Sequence, residues 1–477
     1  MMQALLFDEF QKYAKEAQRV AVFKEIPADR ITPITIYRSL KKIYAADGAM
    51  FEDLHQQKGD RYSFICFEPI ASLTRNDAGD SHPWVELRDL QSRLRFATRS
   101  EVADLITSAI GFITYDAVRY FEEIPAHQVV DTALPLIEFN FYALNLSFNH
   151  EKQTLLISYL VEVGSDPEQA YNQAQQKIGT IIELLSTAVY EIKLPATRQI
   201  TDSVEVDISD ADFMLQVEKA KDFIIQGDAF QIVISRCYTC NYFVSPLDIY
   251  TTLRRISPAP FMFYFTSGAN VIMGASPERL VSVNNKKITV NSIAGTRKRM
   301  KERSDRSIEE DLLNDPKERA EHMMLVDLAR NDVGAVSVPG RVHLKEFFQV
   351  KHYSHVSHIT STVTGELQEK YDALDAFAAV FPAGTLSGAP KIRAMQIINE
   401  LENTSRGLYG GAICRIDALG NLDSCIAIRM AILQEGIATI RTGAGIVYDS
   451  NPAAEAQETY QKASAMLDAI TRAHAGE

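Results

Sequence analysis

Pro382-Ala383-Gly384-Thr385-Leu386-Ser387-Gly388-Ala389-Pro390-Lys391 follows directly on the apolar run Phe377 to Phe381. Two prolines and two glycines in ten residues can continue neither a helix nor a central strand. The segment therefore reads as a tight loop that brings together bare backbone amides, the hydroxyls of Thr385 and Ser387, and the Lys391 ammonium. An anionic small molecule is held by that combination. A plain structural turn uses the same glycines and prolines, so composition alone leaves both readings open.

The whole chain sets the limits on those readings. Its 477 residues provide for one large domain or two to three ordinary ones, and 46% hydrophobic with 23% charged residues describe a globular protein. No run of about 18 apolar residues occurs, and the first residues are acidic without a signal-peptide core, so a cytoplasmic enzyme is expected. A net charge of -13 leaves no basic stripe to displace counterions, which argues against nucleic acid and against an anionic membrane. An acidic metabolite could still bind, but only where a metal ion or local Lys and Arg reverse the field. The five cysteines are scattered, and Cys237-x-x-Cys240 lies in a β-like run with no second pair. Buried strand thiols are expected there, rather than a zinc or redox centre.

Residues 1 to 195 alternate short strand-like runs with polar connections and close on an amphipathic helix over about Asp166 to Leu185. Leu194 to Asp207 reads as a connection, after which Ser209 caps a helix. Residues 196 to 477 are denser in strands, including Phe230 to Ser235, Phe261 to Thr266, Val271 to Gly274, Ile426 to Leu433 and Ala438 to Thr442. Helices intervene near Lys317 to Arg330, Ala389 to Glu402 and Ala453 to Ile470. The adjacent hairpin-like pairs predict an α+β fold with antiparallel or mixed sheets.

Two helices share an unusual face. Glu318 and Glu321 are i,i+3 neighbours, and Glu321 falls on the stripe of Met324, Leu325 and Leu328. Glu455 and Glu458 repeat the spacing, with Lys462 one turn on. A carboxylate on an apolar stripe needs a cation, and two such pairs suit one hard divalent ion, while a salt-bridged helix start is the plainer alternative. Thr442 to Val447 reads as a glycine-rich turn between strand and helix. His355-x-x-His358 has metal-like spacing, but on a strand residues three apart point to opposite faces, so at most one belongs to a site.

Taken in order, these segments resemble the chorismate-utilising enzymes, and among them the component I (large) subunits of anthranilate synthases. The resemblance rests on Gly274 to Glu278, Ile293 to Arg297, Lys317 to Asp332, His355 to Ser361, Pro382 to Lys391, Arg406 to Gly411, Ile428-Arg429, Gly443 to Gly445 and Glu455-x-x-Glu458. It implies two large, mostly antiparallel sheets packed as a sandwich with helices on the outer faces. It also implies an N-terminal region, 1–195, interwoven with a chorismate-binding catalytic region, 196–477. Relatives that activate water resemble one another in carrying a lysine where this chain has Gln231. Those that use a covalent amine carry a lysine where it has Ala294. Neither side chain here can do that work, which points to external ammonia. Aminodeoxychorismate synthases lacking the lysine nucleophile, and a non-catalytic paralogue, are the competing readings.

The resemblance also distributes roles. Mg²⁺ would be held by Glu321 and Glu458 with Glu455 and Lys462 in support, and would act as a Lewis acid at the ring carboxylate of chorismate. Glu318 would give a proton to the departing C4 hydroxyl, and His358 would assist removal of the C2 proton as pyruvate leaves. Arg429, Tyr409 and the amides of Gly443, Ala444 and Gly445 would meet the enolpyruvyl carboxylate, with Thr296 and Thr385 positioning the substrate. Ammonia would come from a separate glutamine amidotransferase subunit in a heterotetramer. A tryptophan feedback site would lie at Glu52 and Asp53 with Pro260, Phe261 and Met262, although Asp53 stands where a serine is usual. That added carboxylate either rejects the amino acid's carboxylate or pairs with its ammonium.

Overall fold

A computed structural model describes residues 2–44, 48–54, 60–77, 81–127, 129–130, 133–187, 204–298, 304–352 and 356–476. The organising element is the strand Ile137–Asn149, apolar on one face through Ala143 and on the other from Tyr142 to Phe148, and buried along most of its length. One edge pairs with Tyr62–Arg75 throughout. The other edge is shared, its first half with Thr107–Ile113 and its second half with Thr154–Glu162, which is in turn flanked by Arg19–Pro27.

Two wings grow from this strand, and every ladder between them is antiparallel. The first runs from Tyr62–Arg75 through Ala49–Asp53, Phe261–Ser267, Asn270–Ser276, Met430–Gln434 and Ile437–Ile446 to Gln231–Asn241. The second runs from Thr107–Ile113 through Ala412–Asp417, Leu422–Ile426, Arg279–Asn284, Lys287–Lys298 and Val356–Glu366 to His343–His352. The inner faces meet across a buried cluster that includes Phe51, Phe64, Phe112, Phe263 and Phe265. The Phe112 and Phe265 rings stack at 5.8 Å, one from each wing. The expected sandwich is therefore present, its two sheets joined into one hydrogen-bonded network at the central strand.

The outer faces are covered by helices that bury one apolar stripe each. Pro33–Ile43, Pro167–Ser186, Pro246–Ile256 and Pro452–Ala475 cover the first wing. Pro83–Arg93, Pro316–Val336 and Ala373–Val380 cover the second. Caps fix the helices that carry the glutamates: Asp315 accepts from the amides of Lys317 and Glu318, and Asn451 from that of Ala454. No helix among the described residues is long and apolar enough to cross a membrane.

Strands from early and late sequence alternate within the network, since Ala49–Asp53 lies beside Phe261–Ser267 and Thr107–Ile113 beside Ala412–Asp417. One rung of the first wing consists of Asp53, Phe261 and Ser276 on three neighbouring strands. The connection 194–203 lies outside the described residues.

Three local expectations change. The run Ile426 to Leu433 is not one strand: it breaks at Ala427 to Arg429, where Arg429 takes the left-handed φ of +52°. The segment Gly443 to Gly445 is no turn but the end of the strand Ile437–Ile446, because it stays paired to Gln231–Asn241 up to Ile446. Cys237 and Cys240 do lie on a strand with free thiols, but are half-buried.

Candidate active site

The helix Pro316–Val336, the last helix Pro452–Ala475, the strand end at Gly443 and the loop after Phe381 converge on one cleft. Glu321 lies half-buried in it, and Gln231 Nε2 donates to its Oε1 at 3.4 Å. Burial pushes the Glu321 carboxyl up, and the negative charges of Glu318 and Glu458 push the same way. Glu455 is raised by burial and by Glu458, although Ser450 donates to it. Carboxylates from two helices thus crowd one another in the way the spacing predicted. Lys462 is one of the cations set among them: Nζ pairs with Glu458 Oε1 at 2.7 Å and donates to Gly443 O at 2.9 Å. Gln231 is buried, and its Oε1 lacks a partner among the described residues.

Close backbone approach explains the glycines. A Cβ on Gly443 would stand 2.5 Å from Ile234 O and 2.7 Å from the Tyr409 hydroxyl, and one on Gly445 would stand 2.8 Å from Gln231 Nε2. Beyond Thr439 this strand is paired on one edge only among the described strands, so its far edge is open to the cleft. Tyr409 is buried, and burial pushes its phenol up to about 12 despite the opposing charge of Arg406. Arg429 has a guanidinium with no hydrogen bond or ion pair among the described residues. Burial lowers its pKa, against the pull of Tyr409 and Glu458. A half-buried guanidinium without an anion is an open seat for a carboxylate.

His358 donates from Nδ1 to Gly295 O at 3.0 Å, which makes Nε2 its basic nitrogen. Burial keeps the ring neutral, the Gly295 bond opposes that, and Arg429 reinforces it. Thr296 pairs across the ladder with His358, next to a register shift taken up by Gly295 at φ +67°. The Thr296 side chain and His355 lie outside the described residues.

Glu318 is held by an arginine. Arg297 Nη1 pairs with its Oε1 at 2.6 Å. A further carboxyl borders the cleft at Glu278. Burial drives that carboxyl up to about 8, with Thr385 Oγ1 donating to its Oε1 at 3.1 Å and Lys462 opposing the shift only weakly. Its place in the Gly274 to Glu278 segment was visible, but nothing in that segment foretells a carboxyl walled in by a loop more than 100 residues later.

The loop that opened the reading is a scaffold more than an anion cradle. Its Lys391 is committed to Asp332 Oδ2 and Val380 O, both at 2.8 Å. Ser387 Oγ donates to Ala383 O, which leaves Thr385 as its hydroxyl in the cleft. A Cβ on Gly384 would meet Leu328 Cδ2 at 2.2 Å, so the loop is pressed onto the stripe of the Glu321 helix.

The residues of the expected effector site are neighbours as well. Asp53 lies opposite Phe261 and Glu52 opposite Met262, and Leu54 N donates to Pro260 O at 2.8 Å. Glu52 is fully buried. It accepts from Tyr250 at 2.7 Å and Ser63 at 2.6 Å, and from Arg254 at 2.9 and 3.0 Å. Burial raises its carboxyl, but Arg254 more than offsets this and holds it below the ordinary range. Asp53 approaches Arg279 at 3.6 Å.

Residues 50–468 match the chorismate binding enzyme family. Among similar proteins, anthranilate synthase component 1 of Acetivibrio thermocellus is 38% identical over 98% of this chain and 98% of its own. That of Geobacillus stearothermophilus is 37% identical over 96% and 95%. The crystal structure of anthranilate synthase component I from Streptococcus pneumoniae TIGR4 superposes with a TM-score of 0.75, at 33% identity over 92% of this chain and 98% of its own. The menaquinone-specific isochorismate synthase of Escherichia coli shares the fold at a TM-score of 0.71, with 19% identity over 97% and 98% of the two chains. This chain belongs to the chorismate binding enzymes and, within them, to the anthranilate synthase component 1 family.

Proposed function

We propose that the cleft converts chorismate and ammonia to anthranilate and pyruvate, the first committed step of tryptophan biosynthesis, as the names of its relatives suggest. The observation that carries this reading is Gln231. The wall beside Glu321 presents a neutral amide, and Ala294 presents only a methyl group, so the chain supplies neither a base for water nor a covalent amine at either position.

Glu321 and Glu458 fit a magnesium ion. They are mutually repelling carboxylates beside an unpartnered amide oxygen, and magnesium takes one or two carboxylates with water and substrate oxygens. Bound there, the ion would draw electron density toward the ring carboxylate of chorismate. Arg429 receives the enolpyruvyl carboxylate, with Tyr409 closing over it. Ammonia bonds to ring C2 as the C4–O bond breaks, and Glu278 protonates that oxygen so that it departs as water. His358 Nε2 then takes the C2 proton while the C3–O bond breaks, and the side arm leaves as pyruvate on gaining a proton. Glu318, held by Arg297, shapes the field around His358. Thr385 orients the Glu278 carboxyl, and Thr296, the ladder partner of His358, is a positioning residue.

Ammonia at neutral pH is almost wholly ammonium, so a glutamine amidotransferase subunit is the natural source, in a heterotetramer. The Glu52–Asp53 seam is read as a tryptophan site of reduced affinity, because an incoming amino acid must compete with Arg254 and Arg279 for the two carboxylates. The test is product analysis of the purified chain with chorismate, Mg²⁺ and ammonium. Anthranilate supports the reading and a para-amino product overturns it. Glutamine-dependent turnover by the chain alone would remove the separate subunit.

A further inference from the structure

We propose that Arg406 is a positioning residue for the substrate-facing wall of the cleft, acting through the loop, the strand and the tyrosine it holds together. The inference rests on the reading of the cleft as a chorismate site. Arg406 and Glu402 form an ion pair whose side chains are 0% and 1% exposed. Nη1 donates to Leu386 O at 2.6 Å and Nη2 to Val233 O at 2.6 Å. Nε and Nη2 donate to the two Glu402 oxygens at 2.9 and 2.7 Å. Glu402 Oε1 also receives the amide and hydroxyl of Ser235 at 2.7 and 2.9 Å. The guanidinium lies over the Tyr115 ring at 4.6 Å and the Tyr409 ring at 5.8 Å.

All of these contacts but the Tyr115 stack are one step from a group in the cleft. Leu386 follows Thr385, which bonds Glu278. Val233 is the ladder partner of Gly445 and lies two residues from Gln231. Ser235 is the partner of Gly443, whose carbonyl receives Lys462. Tyr409 packs against that same glycine. Among the described residues, no hydrogen bond from the pair reaches the Glu321 helix. Only a planar fork with five donors can bond two carbonyls and a carboxylate in different directions at once, and a lysine ammonium in its place must abandon part of the set.

The experiment measures chorismate binding by calorimetry without ammonia, steady-state kinetics with ammonium, and binding of Mg²⁺ alone. Arg406→Lys should fold, raise Kd and KM for chorismate at least tenfold, and leave Mg²⁺ affinity within twofold. Millimolar guanidinium added to Arg406→Ala should recover part of the loss. If the single variants do not fold, Glu402→Met with Arg406→Met removes both buried charges together, and the same rise in Kd is expected from that folded chain. Unchanged chorismate Kd and KM in a folded variant overturn the proposal, as does a parallel loss of Mg²⁺ binding, which marks general collapse. Wild-type chain that fails to bind chorismate would instead overturn the reading of the cleft.

Discussion

Thr385 Oγ1 donates to Glu278 Oε1 across 3.1 Å, joining a loop late in the chain to the turn after Asn270–Ser276. The carboxyl it touches is the one group in the cleft driven up to about 8. A raised acid is protonated below its pKa and loses that proton above it. The donor is therefore present at neutral pH and disappears as pH rises through about 8. We expect an alkaline limb near that pH in kcat/KM, and a loss of two or more orders of magnitude in Glu278→Gln. Thr385→Val removes a bond that favours the ionised form, so its limb should move to higher pH. A limb that stays in place in Glu278→Asp and Thr385→Val alike would assign the donor elsewhere.

Gly443→Ala puts a methyl group 2.5 Å from Ile234 O and 2.7 Å from the Tyr409 hydroxyl. The backbone oxygen cannot yield easily, so the tyrosine and strand must shift. KM for chorismate should rise with the fold retained, as read by kinetics beside circular dichroism. Gly179→Ala is the control: a Cβ there meets nothing within 4 Å on an outer helix, and stability should rise by up to about 1 kcal/mol with kinetics unchanged.

Gln231→Lys places an ammonium where an amide now bonds Glu321 at 3.4 Å. It should neutralise a proposed magnesium ligand, so half-saturation by Mg²⁺ should rise several-fold in ammonium-dependent turnover. An unchanged Mg²⁺ requirement would separate Glu321 from the metal.

L-Tryptophan should inhibit weakly, and Asp53→Ser should sharpen that inhibition by releasing Arg279 from its 3.6 Å contact. Titrations of both chains measure it. Absence of inhibition in both would close the seam as an effector site.

Phe265→Ala removes the ring stacked on Phe112 between the wings. Destabilisation of about 3–5 kcal/mol is expected in urea unfolding.

The antiparallel α+β architecture was legible because adjacent strand-like runs form hairpin-like pairs and the helix Asp210–Ile225 is announced by its cap Ser209. The paired glutamates were legible because helical periodicity places Glu321 and Glu458 on inward faces. What was hidden depends on distant chain. Glu278 is an ordinary glutamate until Thr385 and the cleft walls bury it. Glu318 reads as a free acid until Arg297 folds back from a neighbouring strand. Glu402 and Arg406 look like an i,i+4 surface pair, yet the helix ends at Leu401 and both turn inward. Gly443 reads as a turn because glycine is commoner in turns than in strands, and only the nearness of Ile234 and Tyr409 explains it otherwise.

The rung formed by Asp53, Phe261 and Ser276 ends two residues short of Glu278. Two strand spacings, about 10 Å, separate the effector seam from the proton donor's turn. A ligand that spreads the rung at Asp53 would pull on Glu278, the proposed acid, through backbone hydrogen bonds, with no hinge or subunit rotation required. Inhibition transmitted this way would act as a graded displacement of one carboxyl group.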